Sequence, residues 1–141
     1  MDKTLITNFN SVVSKKDIVI HAGDFTLGSK KFANSIIKQL NGEHIFIKGS
    51  HDRWLGKNYN LMIWEGHIKT RYLVICHYAM LTWRRSHYNS WLCYGHSHGR
   101  LKTKGKTLDV GVDTNNFFPY SFDQIEKIME TKPVNPNFIG K

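Results

Sequence analysis

Four short apolar runs in this chain each stop at a cluster rich in glycine, histidine or aspartate. Asp17-Ile18-Val19-Ile20 leads into His21-Ala22-Gly23-Asp24, and His44 to Lys48 leads into Gly49-Ser50-His51-Asp52. Tyr72 to Cys76 ends at His77, and Trp91 to Tyr94 ends at Gly95-His96-Ser97-His98. Runs of this length, rich in β-branched and aromatic residues, read as buried strands. Each polar cluster then lies at a strand end, where layered α/β folds gather their ligands.

Helical patterns separate the first strands. Leu5, Ile6, Phe9, Val12 and Val13 recur at helical spacing. Ser29 caps a second helix with the apolar face Phe32, Ile36, Ile37 and Leu40, stopped by Asn41-Gly42. Later the chain is richer in strands. Leu61 to Trp64 and His67 to Thr70 flank a predicted turn at Glu65-Gly66, and Arg100 to Val110 reads as a hairpin around Lys104-Gly105. Ser121 and Gln124 form a capping box for a last helix carrying Phe122, Ile125, Ile128 and Met129, and the tail after Pro133 reads as irregular. The expected class is α/β, a layered sandwich of mixed β-sheets flanked by helices, in one domain over residues 1–141.

A length of 141 residues suits a single apolar core. No apolar run is long enough for a membrane span and no secretory leader opens the chain, so a cytoplasmic protein is expected. Cys76 and Cys93 lie in strand-like runs without Cys-x-x-Cys spacing and read as buried thiols. Twenty Lys and Arg against eleven Asp and Glu give a net charge of +9. The excess is uneven: Gly66 to Leu108 holds no acid, yet contains Lys69, Arg71, Arg84, Arg85, Arg100, Lys102, Lys104 and Lys106 interleaved with aromatic residues. Such a stretch suits a phosphate-bearing ligand, nucleic acid or nucleoprotein included; a solubilising surface has the same composition.

Five of the eight histidines (His21, His51, His77, His96, His98) and two aspartates (Asp24, Asp52) follow predicted strands. Imidazole and carboxylate together favour a divalent transition metal, Mn, Fe, Ni or Zn, over Ca or Mg. His21, inside an apolar run, reads as a core histidine, or as one that supports a ligand from behind, rather than as a ligand itself. His44, His67 and His87 read as surface or packing residues, and Asp109 and Asp113 as turn partners. Trp54, Trp64, Trp83 and Trp91 read as core or rim packing. Arg84 and Arg85 read equally as phosphate contacts and as ordinary exposed arginines.

The ordered series Gly23-Asp24, Gly49-Ser50-His51-Asp52, His77 and Gly95-His96-Ser97-His98 resembles the calcineurin-like metallophosphoesterases, in particular the small bacterial and phage type. The likeness runs from about Leu5 to Met129 and includes Arg85-Ser86 and Asp109-Val110-Gly111-Val112-Asp113. It implies a hydrolase for a phosphomonoester or phosphodiester with one or two metal ions. Asp24 would bridge two ions, one also held by His77, His96 and the residue at Ser50, the other by His98 and an opening Asp-x-His pair. His51, oriented by Asp52, would protonate the leaving oxygen or stabilise the phosphoryl oxygens, and Arg84, Arg85 and Arg100 would meet the substrate's charge.

Two departures stand out. No Asp-x-His occurs in the chain, so the domain resembles an N-terminally shortened relative lacking the first strand and two ligands; a natural reading frame starting upstream would have the same effect. A homo-oligomer or a partner chain would then cover the open sheet edge. Ser50 stands where the family has Asn, and a hydroxyl is a poorer neutral ligand than an amide carbonyl. The competing expectation is a catalytically degenerate relative that binds nucleic acid or nucleoprotein through its basic face, for example a phage-encoded inhibitor.

Overall fold

The computed structural model describes residues 3–136. Its elements run α1 (Lys3–Val12), β1 (Ile18–His21), α2 (Lys30–Ile37), β2 (Glu43–Phe46), β3 (Ile63–Ile68), β4 (Arg71–Cys76), β5 (Trp91–Tyr94), β6 (Thr107–Asp109) and α3 (Phe122–Glu130), with short 3₁₀ turns between some of them. Mixed sheets flanked by helices make this an α/β fold. Strands β1 and β2 pair in parallel, and β3-β4-β5-β6 form a second sheet in that order. The β3–β4 pair is antiparallel, whereas β4–β5 and β5–β6 are parallel. Among the described residues β1 has a strand on one side only.

Period-two alternation divides the central strands between two cores. Leu73, Ile75, Trp91 and Cys93 point to one face with Ile47 and Met129, where Ile20, Ala22, Phe122 and Ile125 join them. Val74, Cys76, Leu92 and Tyr94 point to the other, under Trp83. Both faces of β4 and β5 are therefore covered, which is why their sequences read as unbroken apolar runs. A third cluster seats α1 and α2 on the first sheet through Phe9, Ile36, Leu40 and Val19. Cys76 and Cys93 are free, buried thiols. Trp54, Trp83 and Trp91 are buried.

Three expectations need correction. Glu65-Gly66 is not a turn: β3 continues through it, and the chain reverses at Lys69-Thr70, with Lys69 in the left-handed region (φ 55°). Gly66 fits inside the strand because a Cβ there would only touch the Trp64 ring at 3.4 Å. Arg100 to Val110 is not a hairpin either. Strand β6 joins β5 in parallel, and residues 95–106, which cross back along the sheet, form no strand that pairs with it. The apolar face of α2 is Ala33 and Ile36, continued by Leu40 in the turn beyond the helix, while Phe32 is 40% exposed. The caps hold as expected: Ser29 accepts from the Phe32 amide, and Ser121 and Gln124 form a reciprocal capping box. The tail shows no regular structure over 133–136; the remainder of that expectation lies outside the described residues.

Candidate metal centre

The loops after β1, β2, β4 and β5 meet. One carboxylate oxygen of Asp24 and one ring nitrogen each of His77 and His96 lie within 4.8 Å of one another. His77 is buried at the end of β4 and anchors the group. Its Nδ1 is 2.9 Å from the Ala22 carbonyl oxygen, which can only accept, so Nδ1 carries a hydrogen there. With Nδ1 so occupied, Nε2 is the nitrogen that faces the site, 3.2 Å from Asp24 Oδ2 and 3.1 Å from His96 Nδ1. A hydrogen shared between the two rings satisfies this contact, and in its place a cation can be held by the lone pairs of the carboxylate and both imidazoles. A backbone carbonyl on the far nitrogen is also the usual support of a metal-ligating histidine.

The backbone is shaped for this approach. Asp24 (φ 57°) and His96 (φ 67°) both adopt the left-handed conformation, which costs a non-glycine residue about 1 kcal/mol and persists only where packing enforces it. A Cβ on Gly23 would fall 2.5 Å from His77 Nδ1, and one on Gly49 would fall 2.3 Å from the Asp24 amide nitrogen and 2.4 Å from Asp24 Oδ1. Only glycine lets the two loops close on the aspartate and the histidine.

Asp52 ties those loops together. Its buried carboxylate accepts hydrogen bonds from the amides of Asp24 (2.6 Å), Phe25 (2.8 Å) and Gly49 (2.8 Å) and from Trp54 Nε1 (3.0 Å). Its bonds are therefore spent on backbone and tryptophan, and the expected orientation of the His51 ring by Asp52 is replaced by a brace beneath Asp24. His51 is exposed, and its amide donates to Asp24 Oδ1 at 2.7 Å. The Ser50 hydroxyl lies 3.3 and 3.5 Å from the two Asp24 oxygens and donates to that carboxylate.

The other expected residues divide. His98 stands outside the Asp24–His77–His96 group: its Nδ1 is 2.7 Å from Asp113 Oδ2. Arg100 follows in the same loop and is exposed. Arg84 and Arg85 are elsewhere, against the Tyr72 ring with guanidinium carbons 5.9 and 4.6 Å from its centroid. Tyr72 is five residues before His77, about 17 Å along a strand. The parallel pairing of β4 with β5 explains this, because residues 77–90 must return to the start of the sheet and the arginines come late in that return.

Tyr78 and Asp113 were not assigned to the site from sequence. The Tyr78 ring packs edge-on against His77 and His96 at 4.8 and 4.7 Å; its adjacency to His77 was the available signal. Asp109, expected as a turn partner, is one, accepting from the Gly99 and Gly111 amides. His21 is half-buried among aromatic rings and is not part of the Asp24–His77–His96 group. It stacks on Phe46 with centroids 4.5 Å apart, and its Nε2 meets His44 Nδ1 at 2.8 Å. Burial, assisted by the neighbouring His44, lowers its pKa to about 3.

No helix among the described residues is long and apolar enough to cross a membrane. No family model matches the sequence. The fold resembles the crystal structure of a protein of unknown function, AQ665 from Aquifex aeolicus, with a TM-score of 0.67 at 22% identity over 89% of this chain and 83% of that one. The uncharacterized protein MJ1445 of Methanocaldococcus jannaschii is 33% identical over 139 residues, a match spanning 92% of this chain and 76% of the relative. On that identity and coverage, the chain belongs to the family of MJ1445.

Proposed function

We propose that the protein is a metal-dependent phosphoesterase with a calcineurin-like layered fold, cleaving a phosphomonoester or phosphodiester at a centre held by Asp24, His77 and His96. The observation that carries this reading is the convergence of Asp24 Oδ2, His77 Nε2 and His96 Nδ1, with the His77 tautomer set by Ala22. The donor set of two imidazoles and one carboxylate fits Mn, Fe, Ni or Zn. Three protein ligands also leave a coordination position open, as hydrolytic sites require. A divalent cation at this place supplies Lewis-acid stabilisation of the charge on a phosphoryl oxygen.

The chain's own residues account for the rest. Asp52 holds Asp24 in its strained conformation, and the Ser50 hydroxyl and His51 amide fix the rotation of its carboxylate. His51, exposed beside Asp24, is assigned the proton given to the leaving oxygen. Arg100, beyond His98, meets the negative charge of the substrate. The test is hydrolysis of bis-p-nitrophenyl phosphate with added manganese or nickel, with metal content measured on the same samples. Asp24→Asn and His96→Ala should lose both bound metal and turnover; equal turnover in all three proteins rules the reading out.

A second reading, a phosphoesterase-fold protein that binds nucleic acid or nucleoprotein without hydrolysis, is favoured by the pairing of His98 with Asp113 away from the cluster. Binding of DNA or RNA that weakens with salt, survives chelator and comes without turnover would select it.

A further inference from the structure

Beside the candidate metal centre stands a large aromatic side chain that packing only half covers. Tyr78 follows His77 directly, and its ring centroid lies 4.8 Å from that of His77 and 4.7 Å from that of His96, while the two imidazoles are 4.9 Å apart. The three rings are steeply inclined to one another, at 60° to 73°. One edge contact therefore separates the phenol ring from each imidazole that supplies a donor nitrogen, yet 49% of Tyr78 remains exposed.

Neighbouring segments extend this apolar surface. Ile63 pairs with Cys76 across β3 and β4, one residue before His77, and is exposed. Met62, also exposed, lies between Ile63 and Leu61, whose carbonyl accepts from the Lys48 amide; it bridges the ends of β2 and β4, the strands that lead to Gly49 and His77. Leu27, three residues after Asp24, is exposed as well. Single exposed apolar residues are ordinary on a protein surface, but four gathered on the segments next to one polar cluster mark a surface that meets a ligand.

A substrate phosphoryl group at this centre carries its organic group one oxygen beyond phosphorus, so that group begins close to the Tyr78 ring. A flat ring placed there meets the exposed part of Tyr78 offset or edge-on, the arrangements that aromatic quadrupoles favour, whereas an alkyl group gains only buried area. We propose that Tyr78 is a specificity-determining residue that stacks on an aromatic group carried by the phosphate, so that the substrates are aromatic rather than alkyl phosphate esters; this rests on the phosphoesterase reading above.

The experiment uses the full chain with added zinc and two ligands that resist hydrolysis, methylphosphonate and phenylphosphonate, which share the phosphoryl oxygens and differ in the ring. Titration calorimetry should show phenylphosphonate binding the parent roughly tenfold more tightly. The ring-proton NMR signals of Tyr78 should shift strongly with phenylphosphonate and only weakly with methylphosphonate. Tyr78→Leu, which keeps apolar bulk without the ring, should bind phenylphosphonate no better than methylphosphonate, and Tyr78→Phe should keep the preference. Competition against phenylphosphonate then separates two sources of the ring: phosphotyrosine as the stronger competitor identifies an aryl ester, and adenosine monophosphate a nucleoside ester. Equal binding of the two phosphonates by the parent overturns the role of Tyr78 and leaves the phosphoesterase reading standing. Loss of affinity for both ligands in equal proportion in Tyr78→Leu also overturns it, because the ring would then serve only to support the histidines. If neither phosphonate binds the parent with zinc, both readings fall together.

Discussion

His77 Nδ1 lies 2.9 Å from the carbonyl oxygen of Ala22, so the loop after β1 determines which nitrogen of a β4 histidine faces Asp24. The same loop leaves no room for a side chain at residue 23, where a Cβ would come within 2.5 Å of that nitrogen. The link between the two loops is therefore steric as well as hydrogen-bonded.

Gly23→Ala and Gly49→Ala should each disrupt the centre. Both place a methyl group against backbone or ligand atoms that cannot withdraw, and Gly23 also has φ 98°. A loss of about 1–3 kcal/mol of stability is expected for each, together with loss of the rise in melting temperature that the proposed metal centre predicts for the parent on adding manganese or nickel. Gly56→Ala is the control: its φ is 87° but nothing lies within 4 Å of the added carbon. With ψ at 165° it should still cost about 1–3 kcal/mol through backbone strain, yet leave the metal response intact. Thermal unfolding of the four proteins with and without metal checks this.

Asp52→Ala should be among the more damaging single changes to the fold. It leaves three amide N–H groups and the Trp54 indole without an acceptor in a buried place. The expected cost is about 3–5 kcal/mol, and Asp52→Asn, which keeps one acceptor oxygen, should lose less. Urea unfolding gives the totals. Hydrogen exchange should show selective loss of protection at Asp24, Phe25 and Gly49, the amides that Asp52 holds.

The strand ends and their clusters were legible because both signals are local: an apolar run of four or five residues, then glycine and histidine. The convergence of Asp24, His77 and His96 follows once the strands share a layered fold. The role of Asp52 was not legible, since its acceptor bonds reach Asp24 and Phe25, 28 and 27 residues away, and nothing near residue 52 announces them. Arg84 and Arg85 were misplaced for a topological reason. A basic pair shortly before Gly-His-x-His looks close to it, but parallel pairing of β4 and β5 sends that segment to the opposite end of the sheet. Of the expected hairpin at Lys104-Gly105 only the second arm forms a strand, β6, and it pairs with β5 rather than with residues 100–103.

Stability should fall as the pH drops below neutrality, because of His21. Burial and the neighbouring His44 keep its folded pKa near 3, against 6.5 for an unperturbed histidine. Between those values the unfolded chain takes up a proton that the folded chain refuses, so acid favours unfolding; above about pH 7 the contribution is constant. His44, whose pKa burial also lowers, acts in the same direction. A loss of about 1 kcal/mol from these rings is expected between pH 7 and pH 5.5. In His21→Phe, which places a fourth phenyl ring among Phe9, Phe25 and Phe46, this limb of the pH profile should flatten. Urea unfolding across that range compares the slopes, whatever the absolute stability of the variant.

The two thiols should resist modification for as long as the chain is folded. Burial pushes Cys76 up to about 11 and Cys93 up to about 12, with the proximity of Cys76 adding to the latter. Cys76 also donates its S–H to the Tyr78 carbonyl at 2.9 Å. At pH 8 the thiolate fraction of Cys76 is then on the order of one in a thousand, well below that of a free cysteine. Labelling with a thiol-reactive disulfide should follow the rate of opening of the sheet rather than reagent concentration, and should accelerate sharply in urea. Cys93, on the face packed against Ile47 and Met129, should react with the global unfolding rate. Cys76, at the end of β4 next to His77, should react sooner whenever the loops at the metal centre open. Bound manganese or nickel should therefore slow the labelling of Cys76 more than that of Cys93, and equal slowing of both would mean that the metal stabilises the fold only globally.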